Sequence, residues 1–188
     1  PAPPPFPVTW TQSAAVWRSA QWVRTGCKEN PNPIVAHMST ADTARDLDLI
    51  RRLWPNLIAA AGWMKDYGDS NGDGLIDYAR AADTGLSNQG WKDSEDSVFH
   101  ADGRFPVGPI ALVEVQGYAY AAWKVMGEFG EHLGDPRAAE WRERAETMQA
   151  LVEERFWMEN EGFYAIALDG DGEPCRSIGS NAGHLLFT

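Results

Sequence analysis

The sequence predicts a mainly α fold built of helical hairpins, with one small β-hairpin near the C-terminal end. Three observations carry this. Apolar residues recur at helical spacing in several segments after Asp42. Prolines and glycines fall where such segments should begin and stop. One stretch, residues 163–168, alternates in strand fashion before the turn Asp169-Gly170-Asp171-Gly172. At 188 residues, 44% of them hydrophobic, the chain is long enough to bury a core.

Taken in order, the proline-rich start from Pro1 to Pro7 reads as extended chain, residues 13–24 as a short helix with Val16, Ala20 and Val23 on one side, and Asn30-Pro31-Asn32-Pro33 as a loop. Residues 1–44 are the least assignable part, and residues 45–188 form the readable domain. Asp42 or Thr43 caps a helix carrying Leu47, Ile50 and Leu53, which Pro55 ends or kinks. Pro55 then suits the first turn of a second helix through Leu57, Ile58, Ala61, Met64 and Tyr67, stopped by Gly68. Residues 69–103 are rich in Gly, Asp, Ser and Asn and read as a long loop, a length uncommon in a compact protein unless the loop has a task. Pro109 opens a helix through Ile110, Val113, Gly117, Ala121 and Val125 that ends near Gly127 to Gly130. After Gly134-Asp135-Pro136 a longer amphipathic helix puts Ala138, Trp141, Ala145, Met148, Val152 and Phe156 on one face. A hairpin to Cys175 follows, and residues 181–187 read as the start of another helix. The helix pairs alternate like those of a toroid.

Charge and composition narrow the partners. A formal net charge of −11 disfavours nucleic acid and anionic membrane surfaces, which would repel the chain. A neutral sugar meets no such repulsion, and nine tryptophans, Trp63, Trp91, Trp123 and Trp157 among them, supply core anchors and aromatic platforms. No apolar run of membrane-spanning length occurs, and the start lacks the features of a signal peptide. Cys27 and Cys175 show no metal spacing and read as free thiols in a reducing, cytoplasmic compartment. His37, His100, His132 and His184 show no ligand spacing either, and the charged run from Glu140 to Glu146 reads as an exposed helix face. Pro1 is not an initiating Met and the last residues are apolar, so the chain is expected to be a fragment.

The densest chemistry lies in Asn88-Gln89-Gly90-Trp91-Lys92-Asp93-Ser94-Glu95-Asp96-Ser97. Glycoside hydrolysis generally uses one protonated carboxyl to supply the leaving oxygen with a proton and a second carboxylate on the opposite face. A neighbouring indole desolvates the acid, raising its pKa, and offers a face to a sugar ring. The alternative is a solvated loop with capping aspartates. Downstream, Glu114 and Gln116 sit early on an otherwise apolar helix, where a carboxylate needs a partner.

Gly90-Trp91-Lys92-Asp93-Ser94, then Asp96 and the segment from Pro109 to Tyr120, resembles the Trp-x-Asp-[Ala/Ser] segment and downstream Glu-containing helix of bacterial amylo-α-1,6-glucosidases, and the related trehalase and mannosylglycerate hydrolase clan. The resemblance runs from about Arg45 to Phe187. It takes in Leu53-Trp54-Pro55-Asn56, Asp73-Gly74-Leu75-Ile76-Asp77-Tyr78 and the closing Ser180-Asn181-Ala182-Gly183-His184. It implies part of a six-hairpin (α/α)6 toroid and an inverting glycosidase acting on an α-glucan or small α-glucoside, with no required cofactor. In that reading Asp93 is the general acid, and Gln89, Trp91 and Lys92 line the subsite. Glu114 and Gln116 hold substrate hydroxyls, while Asn181 and His184 lie at the cleft. The segment before Arg45 departs from the pattern. The family's catalytic base comes from a later hairpin beyond residue 188, so the isolated chain is expected to be inactive.

Asp69, Asn71, Asp73 and Asp77 occupy oxygen-ligand positions of a calcium loop with Gly74 at its sharp turn, but Arg80 stands where the closing Glu belongs. Either the loop is a turn held by Asp and Asn side chains, or a distant carboxylate completes a structural calcium site. The competing functional readings are a non-catalytic helical module that binds calcium or carbohydrate, and a helical protein-interaction scaffold.

Overall fold

The computed structural model of the protein describes residues 40–80, 85–90, 92 and 94–188, in two compact units, Pro1–Gly62 and Trp63–Thr188. The readings made for residues 1–39 lie outside the described residues. The fold is mainly α, with a few short strands in small sheets.

Helix α1 runs Thr40–Tyr67 without interruption, so the two helices expected on either side of Pro55 are one. Proline lacks the N–H that would bond to the Arg51 carbonyl. The turns before and after it nevertheless stay helical for all 28 residues. Gly68 ends the helix as expected: its N–H bonds to the Met64 carbonyl at 3.1 Å, and a Cβ there would stand 2.5 Å from that oxygen.

In the second unit, helices α2 (Val113–Leu133) and α3 (Ala138–Arg155) form the expected hairpin, joined across Gly134, whose φ of 71° is left-handed. The predicted face of α3 holds: Ala138, Trp141, Ala145, Met148, Val152 and Phe156 are all buried. Both predicted ends of α2 move. It continues past Gly127 and Gly130, because those glycines are contact points for α3 rather than stops. A Cβ on Gly127 would lie 2.6 Å from Arg142 Cγ, and one on Gly130 3.0 Å from the Trp141 ring. Its start moves from Pro109 to Val113. Ile110, Ala111 and Leu112 are buried and pair as extended chain instead, Ile110 with Tyr78 and strand β1 (Ala111–Leu112) with strand β4 (Ala167–Leu168).

Strand β4 pairs in turn with β5 (Pro174–Cys175), the expected hairpin, giving an antiparallel sheet in the order β1-β4-β5. A second hairpin, which the sequence reading did not include, joins β2 (Trp157–Met158) to β3 (Phe163–Tyr164). The core around the sheet gathers Val98, Ile110, Leu112, Ile166, Ala167 and Cys175, with Tyr78 and Val115 packed against it. Residues 181–187, expected to start another helix, lie in a 3₁₀ helix, Ser180–Phe187, which packs on α2. Gly117 permits that approach, since a Cβ would lie 2.6 Å from Leu185 Cδ2. The tryptophans divide: Trp123 and Trp141 are core, whereas Trp63 and Trp157 are exposed and Trp91 lies outside the described residues.

Candidate active site

The site assembles where three segments meet the first turn of α2. The described residues between 69 and 103 form no helix or named strand, as the Gly, Asp and Ser content predicts, and side-chain amides fix their course. Asn88, 6% exposed, is the organiser. Its Nδ2 donates to the carbonyls of both Lys92 and Ser94, and its Oδ1 accepts the Gly90 N–H at 3.0 Å and the Tyr78 hydroxyl at 3.1 Å. One amide thus grips the chain on both flanks of residue 93. Gly90 closes the approach to α2, because a Cβ there would stand 2.7 Å from Leu112 Cδ1. Asp93 and Trp91 themselves lie outside the described residues.

Beside Leu112, Glu114 projects into the interior and is 1% exposed. Its Oε1 accepts a 2.7 Å hydrogen bond from Asn181 Nδ2 on the 3₁₀ helix. The second oxygen of Glu114 and the Oδ1 of Asn181 are buried with no partner. Burial pushes the Glu114 carboxyl above its ordinary pKa, against the opposing pull of its own backbone N–H, Asn181, His184 and Lys92. The Lys92 ammonium and the His184 ring therefore both act electrostatically on this carboxylate. His184 Nδ1 is bonded to the Tyr118 hydroxyl, one helical turn on from Glu114. Burial pushes the Tyr118 and Tyr78 hydroxyls up to about 12, so both remain protonated donors at neutral pH.

Four of the expected site residues, Lys92, Glu114, Asn181 and His184, thus belong to one neighbourhood. Gln89 is half-buried at its edge, donating to the Ala79 carbonyl at 3.2 Å. Gln116 is placed otherwise. It is fully buried, and its Nε2 donates to the carbonyls of Ile76 (2.7 Å) and Leu112 (2.9 Å) while its Oε1 accepts the Ile76 N–H at 2.8 Å. Both amide protons are engaged by backbone carbonyls, so Gln116 straps the loop at Ile76 to the start of α2. Asn88, Tyr78 and Tyr118 fall within the motifs the sequence marks, but the sequence assigned them no role. An Asn two residues before Gly90-Trp91 is the one local signal, and its role depends on contacts the sequence does not display.

The possible calcium loop is held by its own side chains. Asp69 accepts the backbone N–H groups of Gly72, Asp73 and Gly74, Asn71 that of Asp73, Asp73 that of Leu75, and Asp77 that of Ser70. The other Asp73 oxygen pairs with Arg155 at 2.8 Å.

The domain is mainly helical and carries a buried, desolvated carboxyl beside a carboxylate-rich loop. The sequence matches the family of the mannosylglycerate hydrolase MGH1-like glycoside hydrolase domain over residues 5–185, and the chain belongs to this family. The match includes most of the segment before Arg45. No curated protein matches the chain. Among solved structures, a chain titled Sialidase is similar at a TM-score of 0.53 and 18% identity over 73% of this chain, a likeness of fold. The present chain spans 11% of that protein's length. No helix among the described residues is long and apolar enough to cross a membrane.

Proposed function

We propose that the chain is the acid-bearing part of an inverting α-glycosidase that acts on an α-glucan or small α-glucoside, of the amylo-α-1,6-glucosidase kind, in the cytoplasm. The carrying observation is the grip of Asn88 on the carbonyls of Lys92 and Ser94, which fixes the backbone on either side of Asp93. In this reading Asp93 gives its proton to the glycosidic oxygen as the bond to the anomeric carbon breaks. A carboxylate outside this chain removes a proton from the water that adds to the opposite face. Glu114 and Asn181, with unpaired buried oxygens, receive sugar hydroxyls, and Lys92 and His184 complete the subsite. The chemistry needs no cofactor. The isolated chain, holding one half of the acid–base pair, does not turn over substrate.

The test is Asp93→Asn in the complete enzyme, with an α-1,6-linked glucoside, trehalose and mannosylglycerate as substrates. Turnover should fall by about 10²–10⁴-fold, the usual contribution of a general acid, while sugar binding by calorimetry is retained. Near-normal turnover would end the assignment. Hydrolysis of mannosylglycerate alone would transfer the specificity to that glycoside.

A further inference from the structure

The fold brings His100, Asp169 and Glu173 together from two segments that sequence spacing does not connect. His100 lies near the end of the long loop, and the two carboxylates flank the turn between β4 and β5. One donor atom from each lies within 4.8 Å of the others. His100 Nε2 is 3.2 Å from Asp169 Oδ2, and both side chains are almost wholly buried. Cys175 Sγ lies 3.8 Å from the same ring nitrogen. We propose that His100 Nε2, Asp169 Oδ2 and a Glu173 carboxylate oxygen form a structural zinc site that pins the segment after the Asp93 loop to the β4–β5 hairpin.

The geometry and the donor types both favour this. Donors held about 2.0–2.2 Å from a tetrahedral zinc stand roughly 3.3 Å apart, and the His100–Asp169 separation is already 3.2 Å. Imidazole nitrogen with carboxylate oxygens, and a thiol within reach, is a borderline donor set suited to zinc rather than to calcium or magnesium. Asp169 is oriented from behind: its Oδ1 accepts the N–H groups of Asp171 at 3.1 Å and Glu173 at 2.8 Å, leaving Oδ2 for the shared position. Such support from outside the ligand shell fixes the direction in which a ligand presents its lone pair. Backbone bonds from His100 N–H to the Arg104 carbonyl and from Gly103 N–H to the His100 carbonyl hold the histidine's turn. Glu173 is the movable member, half-exposed and paired with Arg104 at 2.6 Å. Arg104 has a second partner in Asp102, so it keeps an ion pair when Glu173 turns to the metal.

A buried His–Asp pair in a purely structural hydrogen bond would need no metal, so the experiment must separate the two. Zinc is titrated calorimetrically into the full chain after treatment with a chelator, alongside Glu173→Gln and His100→Gln. The Glu173 change is at an exposed position and leaves the core intact, which circular dichroism verifies. The expected result is one zinc per chain and a loss of at least tenfold in affinity in each variant. Cobalt(II) should show the intense visible bands of a tetrahedral site. No zinc binding by the wild type, or binding that a folded Glu173→Gln leaves unchanged, overturns the proposal. In the second case the zinc sits on other histidines. Neither outcome bears on whether Asp93 is the general acid.

Discussion

The Glu114→Gln substitution tests the electrostatics at the centre of the site. In the native chain Glu114 Oε1 accepts from Asn181 Nδ2, while Glu114 Oε2 and Asn181 Oδ1 are buried without partners. These two orphans are complementary. Protonated, Oε2 becomes a donor, and the free acceptor belongs to the residue already bound. Glutamine supplies that donor at every pH and removes the burial of a charge. A buried polar atom without a partner costs about 1–3 kcal/mol. The lost attraction of Lys92 and His184 offsets part of the gain, so Glu114→Gln should stabilise the protein at neutral pH by less than that, about 1 kcal/mol. Because the carboxyl's folded pKa lies above its unfolded value, the native state holds the proton more tightly. Wild-type stability therefore rises as pH falls through the folded pKa, and the rise is complete below the ordinary carboxyl range. Urea denaturation of both proteins between pH 4 and pH 8 should show a gap widest at neutral pH that closes on acidification. A gap independent of pH, or a variant less stable than wild type at pH 7, refutes the account.

Two further outcomes follow from the loop straps. Gln116→Leu roughly keeps the volume but leaves both backbone groups of Ile76 without their partner, and should cost about 2–6 kcal/mol in denaturant unfolding, at about 1–3 per unpaired group; a loss below 1 kcal/mol would mean that water replaces the amide. Asn88→Ala frees the carbonyls of Lys92 and Ser94, so amide exchange at residues 90–97 should accelerate with little change in α3, whereas uniform acceleration would mean the whole unit had loosened.

The face of α3 was legible because nothing distant decides it: apolar residues three and four apart bury together wherever a partner is offered. The ends of α2 were not. Gly127 and Gly130 look like stop signals in a linear string, and only the Arg142 and Trp141 side chains against them show that they are packing surfaces. Pro109 obeys the rule for a first helical position, yet Ala111 and Leu112 are claimed by a strand more than fifty residues later. Pro55 was over-read as a boundary, although a 28-residue helix tolerates one missing bond. In the site, Glu114 was recognisable as a carboxylate on an apolar helix, and Asn181 entered through the family resemblance. Their pairing spans 67 positions and is visible only in the fold. Gln116 shows the limit most clearly, because the same pattern suits a substrate contact and an internal strap.

The buried polar side chains of this domain divide by what they leave over. Gln116 has both amide protons on backbone carbonyls, Asn88 has both amide hydrogens and its oxygen engaged, and Asp169 bonds with both oxygens. Each holds a loop, and each is balanced by what it holds. The Glu114–Asn181 pair is different, for it keeps one unmatched oxygen on each partner although desolvation of a polar atom is costly. Among the described residues Ser87 Oγ is also buried without a partner, and the shortfall of the Glu114–Asn181 pair would be met by a donor from outside the chain or by a proton retained on the carboxyl. The pH dependence of Glu114→Gln distinguishes these two alternatives.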